Sequence, residues 1–154
     1  MPFEDDGDVV RGLGQVALQA AYVEEAIDAC LEQFIQRGGA EERLRRLTAR
    51  EKARTLRRLL NATPFSAELD YLPALLDAVV DLLERRNVFL HGRLYANGPA
   101  GTLVRRSGRR NMPDAVANSA ELYDLANELY GVLPGLMHAS TFRLPRHLMR
   151  RDEF

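Results

Sequence analysis

Leu13, Val16, Ala20, Val23, Ile27, Cys30 and Phe34 follow one another at alternating three- and four-residue steps. A strand's apolar side repeats every second residue, so an unbroken seam of this period belongs to a helix. It predicts one long helix over about residues 8 to 37, stopped by Gly38 and Gly39. The seam reads as core or as a contact with another helix. At 154 residues the chain is one domain's worth, enough to bury a single core.

The remaining sequence supplies further helices. Thr48-Ala49-Arg50-Glu51 has capping-box spacing and opens a second, with Ala53, Leu56, Leu59 and Leu60 on its buried side and an end near Asn61 to Pro64. A third stripe, Leu69, Leu72, Leu76, Val79, Leu83 and Leu90, begins after the N-cap candidate Ser66. Pro73 delays its regular part to near Leu72, and Gly92 suits a left-handed cap after His91. The fourth helix runs from about Pro113 or Ser119 to His138, with Leu122, Leu125, Leu129, Leu133 and Leu136 inward and a kink expected near Gly131 to Pro134.

Before that helix, Arg93-Leu94-Tyr95-Ala96 and Thr102-Leu103-Val104-Arg105 flank the turn-rich Asn97-Gly98-Pro99-Ala100-Gly101. This pattern predicts a β-hairpin or a long loop over about 93–112. Residues 140–154, rich in Arg and carrying His147, read as a basic C-terminal tail. No repeat, low-complexity segment or linker divides the chain. The expected fold class is all-α: a single domain over 1–154, a four-to-five-helix up-and-down bundle with the hairpin or loop before its last long helix.

One segment contradicts its surroundings: Glu84-Arg85-Arg86-Asn87-Val88-Phe89-Leu90-His91-Gly92. At about 100° per residue, Arg86 falls inside the apolar arc of the third helix, between Leu82, Leu83 and Leu90, with Asn87 at its edge. A buried guanidinium without compensation costs on the order of several kcal/mol. Compensation comes either from an acid on another helix, Glu24 among them, or from an anionic ligand. Arg85 projects the other way, where Asp81 is placed for an i,i+4 pair.

Charge is partitioned. Residues 1–84 hold 16 Asp and Glu against 10 Lys and Arg, whereas 85–154 hold 6 against 11. Arg85, Arg86, Arg93, Arg105, Arg106, Arg109 and Arg110 occur with no acid until Asp114. This run reads either as a solvated loop offsetting the acidic half or as a face for a phosphate backbone, and its proximity to Arg86 and His91 favours the second.

Several chemistries are disfavoured. The lone Cys30 lies on an apolar helix face and builds neither a disulfide nor a thiolate metal site. His138 and His147 lack metal-site spacing, no H-E-x-x-H, phosphate loop or dinucleotide fingerprint is present, and no Ser or Cys has nucleophile-elbow context. No metal and no cofactor are expected. No apolar run approaches the roughly 20 residues that cross a bilayer. The acidic Met1 to Asp6 stretch is unlike a secretion signal, so a cytoplasmic location is expected.

Arg86-Asn87-Val88-Phe89-Leu90-His91 resembles the R-x4-6-H motif of the HEPN superfamily (higher eukaryotes and prokaryotes nucleotide-binding domain), in which a polar residue often follows the Arg and Gly often follows the His, as Asn87 and Gly92 do here. The gap of four is the shortest that pattern allows. The resemblance implies an all-α bundle, often a homodimer. Its members are commonly metal-independent endoribonucleases acting as toxins or defence effectors, sometimes beside a nucleotidyltransferase-type antitoxin; others are non-catalytic modules that bind a partner protein, nucleotide or RNA.

The residue chemistry fits RNA cleavage. His91 is a proton-transfer group near neutral pH, Arg86 holds phosphate bidentately, and Asn87 orients the imidazole or contacts phosphate. On one helix Arg86 and His91 differ by about 140° and ~7.5 Å of rise, so two copies around a two-fold axis line one cleft more readily than one copy does. Arg85, Arg93, Tyr95, Arg105 and Arg106 are the expected RNA and phosphate contacts, with Tyr95 offering a stacking ring.

Overall fold

The computed structural model describes residues 2–90, 93–95, 102–106 and 115–152. The chain is an all-α helical bundle carrying a small antiparallel sheet. Helices α1 (Val9–Ile35), α2 (Ala49–Asn61), α3 (Leu72–Leu90), α4 (Ser119–His138) and α5 (Leu144–Asp152) account for most of it. Strands β1 (Arg93–Tyr95), β2 (Thr102–Arg106) and β3 (Ala115–Asn118) lie between α3 and α4. Two compact units result, Met1–Ala21 with Leu82–Gly131, and Tyr22–Asp81 with Val132–Phe154. Among the described residues no helix is long and apolar enough to cross a membrane.

In the first unit Val16, Ala20, Leu83, Leu122, Leu125 and Leu129 are buried. Helices α1 and α4 approach closely at Gly12, where an added Cβ would stand 3.1 Å from that of Leu122 and 3.3 Å from the Tyr123 ring. The N-terminal arm is tied to α4. Phe3 N–H donates to Asn127 Oδ1 at 3.2 Å, Asn127 Nδ2 donates back to the Phe3 carbonyl at 3.0 Å, and the Phe3 ring meets Tyr130 edge-on. Tyr123 Oη donates to Asp6 Oδ1 at 2.9 Å. The Asp8 backbone N–H, then this phenol, holds the Asp6 carboxyl below its ordinary range.

The sheet also belongs to the first unit. Its order is β1-β2-β3, with Arg93 opposite Arg106, Leu94 opposite Arg105, and Thr102 opposite Asn118. Where the sequence leaves a β-hairpin or a long loop open, β1 and β2 pair antiparallel; β3 is not foretold, because Ala115-Val116-Ala117-Asn118 is too short and weakly β-forming to stand out before its ladder forms. Asn118 then caps α4, its Oδ1 accepting from Glu121 N–H at 2.8 Å, which fixes the helix start at Ser119.

In the second unit Ile27, Leu31, Leu56, Leu72, Leu76 and Leu136 are fully buried. The Cys30 thiol is buried with them and donates weakly to the Leu136 carbonyl at 3.5 Å. A 3₁₀ turn, Ala67–Leu69, follows Ser66, and α3 begins only at Leu72, with Pro73 in its first turn where a missing N–H costs nothing. The capping box of α2 is complete: Glu51 N–H donates to Thr48 Oγ1 at 3.3 Å, and Thr48 N–H donates to Glu51 Oε2 at 2.9 Å. That second bond holds the Glu51 carboxyl below its ordinary range. Thr48→Ala is expected to cost about 1 kcal/mol of stability in denaturant unfolding, with Thr48→Ser close to wild type. Equal stability of the two variants would show that the box contributes nothing.

The C-terminal segment departs from expectation. Residues 140–154 read as a basic tail, yet a π-helical turn, Ala139–Arg143, leads into α5, where Leu144 is fully buried and Leu148 is 7% exposed. The Leu144 N–H donates to the Ala139 carbonyl, so α5 continues directly from the π turn, with Pro145 as its second residue. Helix α4 is assigned as one α-helix with Pro134 inside it, and the departure from α geometry comes after it, in the π turn.

Candidate functional site

The last turns of α3 carry the segment singled out by sequence. Arg86 and Asn87 are both half-buried there, and the Arg86 Nε atom is buried. Asn87 Oδ1 is buried too and accepts no hydrogen bond from the described residues. His91 and Gly92 lie outside the described residues, as do Arg109 and Arg110.

Arg85 faces a different way from Arg86, as its register on the helix requires. Its partner is Glu128 of α4, reached through Nη1, rather than Asp81 four residues earlier. Both side chains are about half exposed, so the pair contributes little stability, and a phosphate at Arg85 would have to compete with a carboxylate already in place. Among the other expected RNA contacts, the ladder sets Arg93 opposite Arg106 and Leu94 opposite Arg105, with Tyr95 opposite Val104. The strand leaving the motif is thereby registered against the Arg105-Arg106 pair.

The same unit holds two residues that the motif search passes over. Gln15 and Gln19 stand one turn apart on α1, and each has a side-chain oxygen that is buried and accepts no hydrogen bond. Gln19 is only 5% exposed. The sequence contains its signal: Gln19 lies three residues after Val16 and four before Val23, inside the apolar seam, in the same conflict that marks Arg86. Leaving a buried acceptor unmet costs about 1–3 kcal/mol, so three amide oxygens in one unit are costly unless something donates to them. Ligand N–H and O–H groups are of the required kind.

No three His, Cys, Asp or Glu side chains among the described residues are placed to hold a metal ion. The fold is that of an all-α protein whose first unit holds three buried amide oxygens with no hydrogen-bond donor among the described residues. Compared with known proteins, the chain matches no family model, no curated protein and no solved structure.

Proposed function

We propose that this chain is a metal-independent endoribonuclease of HEPN type, with Arg86, Asn87 and His91 acting at a cleft between two copies. The observation that carries the reading is the burial of polar side chains in one unit: Gln15, Gln19 and Asn87 each present an unmet amide oxygen, and Arg86 sits half-buried on the same helix as Asn87. RNA offers those oxygens donors from its 2′-hydroxyls and base amino groups.

In the proposed reaction the 2′-hydroxyl oxygen attacks the adjacent phosphorus and the bond to the 5′-oxygen breaks, leaving a 2′,3′-cyclic phosphate and a 5′-hydroxyl. His91 transfers protons, and Arg86 holds charge on the phosphorane oxygens. The Arg93–Arg106 register and the neighbouring Arg105 supply a basic approach for the flanking backbone. A homodimer with a toxin or defence role, a cytoplasmic location and a nucleotidyltransferase-type antitoxin as partner belong to the same proposal.

A second reading draws on the same three amide oxygens. A non-catalytic module that binds a partner protein, nucleotide or RNA satisfies them without chemistry. Purified protein incubated with single-stranded RNA in EDTA separates the two readings. The nuclease yields fragments ending in 2′,3′-cyclic phosphate, and His91→Ala abolishes them while the dimer persists. Intact RNA that is nevertheless retained by the protein rejects the nuclease and leaves the binding module.

A further inference from the structure

The junction of α4 and α5, in the second unit, carries a built site that the proposed nuclease does not use. A cleft of about 550 Å³ opens there, lined by Ala67, Glu68, His138, Phe142, Arg143 and Arg146. That size is typical of small-molecule sites. The π turn Ala139–Arg143 presents two of these side chains, and such turns within helices recur at functional positions.

Arg143 is held from three sides. Its Nε donates to His138 Nδ1 at 2.9 Å, its Nη1 donates to the Glu68 carbonyl at 2.6 Å, and its Cζ lies 4.9 Å from the centre of the Tyr71 ring. Tyr71 is fixed in turn, its Oη donating to the Gly135 carbonyl at 3.1 Å. None of these partners is a carboxylate. An arginine N–H can only donate, so in this contact His138 Nδ1 is the acceptor. The guanidinium is half-buried, and its Nη2 makes no hydrogen bond to the described residues. A fixed cation with an unused planar donor edge is preorganised for an anion.

The other groups narrow the ligand. Arg146 is 58% exposed and lies 3.6 Å from Glu68 in an ion pair too long for a hydrogen bond, so an anion there competes with that carboxylate. Phe142 is 54% exposed, with its ring 5.3 Å from that of His138. Glu68 Oε2 is buried and accepts no hydrogen bond. Two cations beside an exposed ring match a planar ring bearing a negative group.

We propose that this cleft binds a small aromatic anion, its charged group held by Arg143 and Arg146 and its ring laid against Phe142. Titration calorimetry with phenyl phosphate, inorganic phosphate and benzyl alcohol tests both halves of the recognition. Phenyl phosphate is expected to bind saturably and at least about tenfold more tightly than either of the others. Phe142→Ala and Arg146→Gln change exposed side chains, and each is expected to weaken phenyl phosphate several-fold. No saturable binding overturns the proposal. So does equal affinity for inorganic phosphate, which marks an ion site only, or an affinity indifferent to both variants.

Discussion

Replacing Arg86 by alanine is expected to lower the cleavage of single-stranded RNA by about 10²–10³-fold, the usual consequence of removing one preorganised donor to a developing anion. Arg86→Lys keeps the charge but loses the planar fork, so it should recover only part of the rate. His91→Ala should do at least as much harm, because general acid–base catalysis typically contributes about 10²–10⁴-fold. The half-buried position of Arg86 calls for a control against simple unfolding. A denaturation curve on each variant provides it, and Arg85→Ala, which breaks the exposed pair with Glu128, should change stability by less than about 1 kcal/mol. Wild-type cleavage rates in folded Arg86→Ala and His91→Ala proteins would end the nuclease proposal.

Leu144→Ala is expected to destabilise the protein by about 2–5 kcal/mol, the range for truncating a fully buried leucine. Met149→Ala, on the exposed side of the same helix, should stay within about 0.5 kcal/mol of wild type. The contrast, read from urea midpoints at equal slope, tests whether α5 is part of the second unit's core. Two curves that superimpose on the wild type would mean that the segment adds nothing to the fold.

That helix also shows where sequence reading stops. The π turn and α5 contain Arg143, Arg146, Arg150 and Arg151 with Pro145 among them, and charge and proline together hide the Leu144–Leu148 spacing. Packing against the second unit's apolar residues decides the matter, and no local pattern reports on that. Elements with strong local chemistry were legible. The seam from Leu13 to Phe34 matches α1, and Thr48-Ala49-Arg50-Glu51 forms both of its reciprocal bonds. The start of α3 near Leu72 follows from where proline is tolerated. β3 was invisible because a ladder, not its own four residues, makes it a strand.

At the candidate site, Arg86 and Asn87 stood out as polar intruders in an apolar stripe, and both lie on the last turns of α3. Gln19 obeys the same rule, but an uncharged amide in an apolar seam is a weaker signal than a cation because its burial costs less. Arg85 was assigned the neighbour its own helix offered. Its actual partner, Glu128, lies 43 residues onward in α4, a contact that only tertiary structure creates.

The Cys30 thiol, sealed among apolar neighbours and pushed up to about 12 by desolvation, has a consequence for assembly. Thiolate is the species that attacks oxidants, alkylating agents and disulfides, and the folded chain presents almost none of it at neutral pH. Copies of this protein therefore cannot be stapled to one another through sulfur while they remain native. Any association between native copies would therefore be non-covalent, answering to concentration and salt rather than to redox potential.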